Sequence, residues 1–391
     1  MKFLVKVSSA GRTGCITEFS NVFKNKSFKT PMFMPYTQGG TIPHLTFNTI
    51  KRLEDQNMLF LQTLPTIVEF KDAVKKQGKG LNTFVGLPEY PFHISVQTQN
   101  DLTPTGYNVN RGVSVWSYGQ KRLLTPEEFM DIIKIYKPVS YQALCDSDTP
   151  LGCSKKRLNK AVDNSIKFLD ECLEEHQSCK ELKDVAIFGS IQGCYDSFLR
   201  KKSTEATVSR AVDGFIIDGF HINGSDTENI DFLKMKQILH EILPLLPEDK
   251  PRILHGAFEP QIILEAIKCG IDIFDSSYAH KLTENGEASI FPLNAIPDYI
   301  LNDVADPKPK RAKYCCVLPL KDDLYKDDFN PIIETCECYT CKHYVRAYIH
   351  HLLVTSELLA NILLMIHNHH HFCKFFENIR DVLSSTCKNN L

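Results

Sequence analysis

Between residues 30 and 300 the chain alternates short apolar runs with amphipathic stretches, and few architectures accept that rhythm. The runs predict strands at Met32–Tyr36, Met58–Gln62, Phe92–Gln97, Ser140–Leu144, Val185–Ile191, Gly214–Ile217, Arg252–His255 and Ile271–Phe274. Helical periodicity predicts helices at Phe47–Gln56, Ile67–Gln77, Lys155–Leu173, Asp231–Leu243 and Pro260–Lys268, the last stopped by Gly270. Another, Pro126–Tyr136, stands behind the capping box Thr125-x-x-Glu128. Strands divided by helices build βα units and a parallel sheet. Eight of them predict an α/β fold, a closed (β/α)8 TIM barrel. A doubly wound open sheet competes, but no Gly-x-Gly-x-x-Gly follows an early strand.

A barrel takes roughly 250 residues, so a chain of 391 has room for a further unit. The expected division is a barrel over 1–305, a charged excursion over 306–330 and a helical subdomain over 331–391 packing on the barrel. The excursion carries Asp306-Pro-Lys-Pro-Lys-Arg-Ala-Lys313 and Lys321-Asp-Asp-Leu-Tyr-Lys-Asp-Asp328, charged and without period. With 45 basic and 47 acidic residues the formal charge is -2, which confines any nucleic-acid contact to local patches.

The start, Met1-Lys-Phe-Leu-Val-Lys-Val, lacks the apolar core and cleavage site of a secretory signal. A cytoplasmic, reducing setting follows, in which cysteines serve as metal ligands or small core residues. The most apolar stretch, Leu358 to Ile366, is too short to span a bilayer.

Polar residues gather after the predicted strands: Thr37 and Gln38, Gln62, Asp146 and Asp148, Gln192, Asp218 and Asp275. In a barrel these ends form one mouth, where chemistry sits. A second constellation is Cys336-Glu-Cys338-Tyr-Thr-Cys341. Three thiolates in six residues converge on one tetrahedral ion, and Zn²⁺ accepts three sulfurs and one nitrogen. His367, His350, His351, His369, His370 and His371 all compete for the fourth place, and spacing does not choose among them. A site closed by four protein donors is structural rather than catalytic. From Val345 to Ile366 the periodicity predicts one continuous helix.

These segments together resemble the tRNA-guanine transglycosylase family. The resemblance rests on Cys336-x-Cys338-x₂-Cys341-x₂₅-His367 enclosing Tyr344-Val-Arg-Ala-Tyr-Ile-His-His351. It rests also on Pro31-Met-Phe-Met-Pro35 with Thr37-Gln38-Gly39, on Gly189-Ser-Ile-Gln192-Gly193, and on Pro251-Arg-Ile-Leu-His-Gly256 leading to Gly270-Ile-Asp-Ile-Phe-Asp275. It implies a (β/α)8 barrel with an inserted C-terminal zinc subdomain, one structural Zn²⁺ held by Cys336, Cys338, Cys341 and His367, and exchange of guanine in tRNA for a 7-deazaguanine base. In eukaryotes that base is queuine and the site is wobble position 34 of tRNAs with GUN anticodons.

The family's chemistry uses one carboxylate to attack ribose C1′ and a second to manage protons, on a nucleotide extruded into a pocket. Asp275 stands at the nucleophile position, and Asp146 or Asp148 and Gln192 near the base-recognition positions. Elsewhere the pattern departs. The family's Asp-Ser-Gly-Gly-Phe-Gln, source of the second carboxylate, reads Ser95-Val-Gln-Thr-Gln-Asn100 here; Asp101 lies beyond it. The Gly-Leu-Ser-Gly-Gly-Glu loop reads Ile217-Asp-Gly-Phe-His-Ile-Asn-Gly224. The Cys-Val-x-Pro-Thr-Arg after the nucleophile reads Ser276-Ser-Tyr-Ala-His-Lys281, and an Arg fork is not replaced by His-Lys.

The resemblance therefore implies a non-catalytic accessory chain with no catalytic residue, Asp275 being vestigial and Asp146 and Gln192 relics of the base pocket. Its implied partners are a catalytic chain of the same family, in a heterodimer, and tRNA rather than DNA. Its implied place is the cytoplasm, with a peripheral position on the mitochondrial outer membrane. The alternative is an active transglycosylase with Asp275 as nucleophile and Asp101 or His93 moving protons.

Overall fold

The computed structural model describes residues 1–8, 11–18, 23, 25–53, 57–220, 224, 227, 230–301 and 316–388. All eight expected strands are present, and each pairs in parallel with its neighbours. They are Met32–Met34 continuing as Tyr36–Thr37, then Phe60–Thr63, Phe92–Ser95, Ser140–Gln142, Ala186–Ile191, Gly214–Ile217, Arg252–Ile253 and Ile273–Asp275.

Closure depends on the first strand. Pro35 has no N–H to give a ladder, and the strand changes partner around it. Met32–Met34 pairs with Ile273–Asp275 on one side, while Tyr36 and Thr37 pair with Leu61 and Gln62 on the other. The sheet thus becomes a barrel.

Alternate residues of each strand face the lumen. Its lower part is apolar, with Met32, Met34, Leu59, Leu61, Phe188, Ile216 and Ile273 in one cluster. An antiparallel sheet that the sequence reading did not anticipate, Lys2–Ser8, Gly11–Thr17 and Phe28–Thr30, adds Phe3, Ile16 and Phe28 to that cluster and plugs the base. Two residues beyond Ile216 and Ile273, on the same face, stand Asp218 and Asp275. The lumen turns polar towards its mouth.

The helix Pro126–Tyr136 forms as expected, with its capping box complete. Pro260–Cys269 ends on Gly270 in the left-handed conformation that a C-terminal cap requires. Other expectations need correction. Phe47–Gln56 is helical only over Phe47–Ile50, and residues 54–56 lie outside the described set. Ile67–Gln77 is divided by a 3-10 turn, Val68–Phe70, and Lys155–Leu173 runs on to Ser178.

The helix Ser197–Val208 was missed because its inner face is polar: Arg200, Ser203, Thr204 and Thr207 are buried there. Arg200 donates to the carbonyls of Cys194 (2.7 Å), Ile191 (2.7 Å) and Asp218 (2.6 Å). The hairpin Val113–Ser117 and Gln120–Leu124 was missed as well.

Within the charged stretch 306–330, Val317–Pro319 pairs antiparallel with Glu287–Ser289; the basic run 306–313 lies outside the described residues. The expected helix Val345 to Ile366 is two: Arg346–Val354 and Leu358–Lys388, divided where Ser356 takes φ +59°. The first belongs to a small separate core with Leu320, Tyr325, Ile332, Leu363 and Leu364.

The second is long enough to join both units. Its far half lies on the barrel, where Phe376 meets Phe33 (centroids 5.3 Å apart), Phe274 (5.9 Å) and Phe372 (5.3 Å). Arg380 donates to the carbonyl of Pro31 at 3.0 Å. Because Phe376 is fully buried, Phe376→Ala is expected to cost about 3–5 kcal/mol, read as a lowered urea midpoint. Amide exchange should quicken selectively over residues 372–388. A variant as stable as the parent would contradict this docking.

Candidate functional site

Two places in the fold gather chemistry-bearing side chains. The first is the small core. Cys338 caps the short helix Tyr339–His343, its sulfur accepting from the N–H of Cys341 at 3.3 Å, and this turn draws the sulfurs together. His367 comes from the long helix. Its Nδ1 lies 3.9 Å from the sulfur of Cys336, 3.6 Å from that of Cys338 and 3.3 Å from that of Cys341.

In a tetrahedral centre with Zn–S of ~2.3 Å and Zn–N of ~2.0 Å, the sulfur-to-nitrogen separation is about 3.6 Å. The three distances bracket it. The donor atoms all lie within 4.8 Å of one another, so the cluster can hold a metal ion.

The imidazole is already oriented for that task. His367 Nε2 donates to the carbonyl of Ser289 at 2.9 Å, which fixes the ring and leaves Nδ1 facing the sulfurs. The next residue, Asn368, accepts from the Ser289 N–H (2.8 Å) and donates to Thr283 and to the carbonyl of Glu287 (3.0 Å each). Electrostatics agree with a place for positive charge. Burial would lower the pKa of His367, yet Cys336 and Cys341 raise it to about 9. Hydrogen bonds from Cys338 and Cys341 hold the Cys336 thiol far below its ordinary value.

Three of the histidines left open by spacing are engaged elsewhere, while His370 also reaches Cys336. His350 bonds to the carbonyl of Leu320, His371 to that of Phe291, and His369 to Cys373 while packing on Phe33.

The second place is the barrel mouth. Asp275, 1% exposed, ends the eighth strand, and both of its oxygens are taken. Oδ2 accepts from the N–H of Gly256 (2.9 Å) and faces His255 Nδ1 (3.3 Å). Oδ1 accepts from the N–H of Ser277 (2.8 Å) and from the Ser277 hydroxyl. None of these partners is an acid.

Tyr36, buried above the lumen, stacks on His280 (centroids 5.3 Å apart) and hydrogen-bonds Thr98 at 3.0 Å. The segment that stands for the family's proton-handling loop thus engages a tyrosine. Asp101 is exposed. His93 is buried, its Nδ1 on Ser140 at 2.9 Å, and burial followed by the nearness of His255 drives its pKa well down.

Asp146, fully buried, follows the fourth strand. Arg157 from the helix Lys155–Ser178 grips both of its oxygens, with NH1 to Oδ2 at 2.9 Å and NH2 on Oδ1. Asn108 (2.9 Å) and Asn164 (2.9 Å) add further donors. Burial raises the Asp146 pKa, but the hydrogen bonds and charge of Arg157 outweigh it and the net shift is downward. Asp148 accepts from the Gly106 N–H at 2.7 Å.

Gln192 donates to Ser147 (3.0 Å) and Asp218 (3.1 Å), and Asp218 also accepts from Ser147 at 2.5 Å. Gly219, at φ +74°, has no room for a Cβ because the Gln192 Oε1 occupies that space. Thr37 and Gln62 bond to each other (2.9 Å), on the outer side of the wall.

The sequence reading therefore located Asp146, Gln192, Asp275 and the Cys-Cys-Cys-His cluster. It missed the residues that engage them: Arg157, Asn108, Asn164, His255, Ser277 and Asn368. His255, Ser277 and Asn368 carried a signal, lying inside or next to the matched segments.

Since the folded Asp146 releases its proton more readily than an unfolded one, its pair with Arg157 stabilises fully above the ordinary carboxylate pKa of about 4. That stability drains as pH falls through the lowered folded value. Arg157→Gln is expected to cost about 3–5 kcal/mol at neutral pH and to flatten the acid limb of stability against pH. An unchanged urea midpoint would contradict the pairing.

Comparison with known proteins follows the same outline. A profile described as queuine tRNA-ribosyltransferase matches residues 8–388. A protein of Ixodes scapularis named queuine tRNA-ribosyltransferase accessory subunit 2 is 42% identical over 374 residues, covering 95% of this chain and 93% of its own. Proteins of the same name from Xenopus laevis (35% over 400 residues; 97% and 95% covered) and Drosophila virilis (34% over 386; 97% and 88%) are also similar.

Proposed function

The chain belongs to the queuine tRNA-ribosyltransferase family, and from that premise we propose that it is the non-catalytic accessory subunit of a heterodimeric enzyme. The partner is a catalytic chain of the same family. The pair exchanges guanine for queuine at wobble position 34 of tRNAs with GUN anticodons, and this chain supports tRNA placement.

The observation that carries the reading is the state of Asp275. A nucleophile needs an oxygen free to approach ribose C1′, and here four donors converge on the two oxygens. Asp146, relic of the base pocket, is likewise taken by Arg157. Proton transfer alone is worth 10²–10⁴-fold in such chemistry, and among the described residues no acid hydrogen-bonds Asp275.

The competing reading, an active transglycosylase, draws on the retention of Asp275 and Gln192. An exchange assay with labelled guanine separates the two. The isolated chain is expected to exchange none, the mixture with a catalytic partner to exchange it, and Asp275→Asn to leave the mixture's rate within about twofold. Turnover by the lone chain that vanished in Asp275→Asn would overturn the proposal.

We propose Zn²⁺ as the ion for Cys336, Cys338, Cys341 and His367, one per chain. Three soft thiolates with one imidazole suit it. Four protein donors leave no place for water or substrate, so the ion supplies folding energy to the subdomain and no chemistry. Metal analysis should find one equivalent of zinc, lost in Cys338→Ser together with the helical signal of residues 331–391. A folded, zinc-free protein would refute the assignment.

The division proposed is a barrel over 1–305, an excursion over 306–330 and the zinc subdomain over 331–391; the separate core around Cys338 and Leu364 supports it. No described helix is long and apolar enough to cross a membrane. The place proposed is the cytoplasm, with contact at the mitochondrial outer membrane peripheral.

A further inference from the structure

The helix Ser277–Asn285, which leaves the barrel mouth directly after Asp275, presents His280 and Glu284 one turn apart on a single face. Opposite them, in the loop after the first barrel strand, stands His44. Its backbone takes φ +63°, a left-handed conformation that a non-glycine residue adopts at a cost of roughly 1 kcal/mol or more.

His44 Nε2 lies 2.6 Å from Glu284 Oε1, and His280 Nδ1 lies 4.0 Å from the same oxygen. The three donor atoms all fall within 4.8 Å of one another. His280 is only 7% exposed, and its Nδ1 has no hydrogen-bond partner. A buried imidazole nitrogen aimed at a carboxylate it does not reach is an unfilled donor.

From this geometry we infer a second metal site, formed by His44, His280 and Glu284 at the barrel rim and open to solvent, for a divalent transition cation.

The donor set selects the class. Two imidazoles and one carboxylate suit Zn²⁺, Ni²⁺ or Cu²⁺, whereas Mg²⁺ and Ca²⁺ favour all-oxygen shells. Donors ~2.0–2.1 Å from a tetrahedral ion stand about 3.3 Å apart, between the 2.6 and 4.0 Å seen here. Glu284, half exposed, is the side chain free to even them out. His280 is held in place by its stack on Tyr36.

With three protein donors and an exposed side, a fourth position remains for water or an oxyanion. This distinguishes the rim site from the closed sulfur centre. The inference does not depend on the proposed accessory role.

The test uses the full chain with its cysteine centre already filled by one equivalent of zinc, titrated calorimetrically with further ZnCl₂. A second stoichiometric equivalent is expected. His44→Asn and Glu284→Gln, both at partly exposed positions and safe for folding, should each weaken it more than about tenfold, the loss that even an outer partner of a metal ligand carries. The first equivalent and the helical content should be unchanged. Absence of a second equivalent in the parent would reduce the cluster to a histidine–carboxylate pair and overturn the site. So would a second equivalent bound equally well by both variants.

Discussion

A carboxylate inside a barrel must find donors, since an isolated buried charge is far costlier than a buried hydrogen bond. Asp275 finds them within its own chain: the Gly256 and Ser277 N–H groups, the Ser277 hydroxyl and His255. Ser277 stands two residues beyond Asp275 and Gly256 just beyond the seventh strand, so the arrangement fastens the last two strands together. Asp146 repeats the solution with a cation, using Arg157 and two asparagines. Donors that satisfy an acid so fully hold it within the fold.

The mouth and the cysteine centre are joined by the helix Leu358–Lys388. About a third of the way along it His367 faces the sulfurs while Asn368 fastens the strand Glu287–Ser289, and nine residues after His367 Phe376 rests on the barrel wall. An ion at the cysteines would thus brace the same helix that covers the first and eighth strands, where the barrel closes. The subdomain's worth to the protein is mechanical. It holds the small core and the barrel in fixed relation.

Much of this was legible in the sequence. Continuous apolar runs such as Gly214–Ile217 and the capping box at Thr125 are local signals, and strand and helix formed where they pointed. The cysteine spacing named three donors. Spacing left the fourth open and the family resemblance pointed to His367; the fold agrees, with carbonyls holding His350 and His371 and a neighbouring thiol holding His369.

The helix Ser197–Val208 was invisible, since its buried face is an arginine and hydroxyls that satisfy backbone carbonyls instead of an apolar stripe. The partners of Asp146 lie 38, 11 and 18 residues away along the chain, and no periodicity reports a polar contact of that kind. Retention of an acid was readable; its confinement was not.

The most direct measurement is an attempt to trap a covalent adduct. The isolated chain would be incubated with a wobble-guanine tRNA and an excess of a guanine-like base, then separated under denaturing conditions. If the acids of the mouth are committed to the fold, protein and RNA part completely. A protein–RNA band that survives denaturation and disappears on replacing Asp275 would mean that this carboxylate still reaches a ribose, and the account would fall.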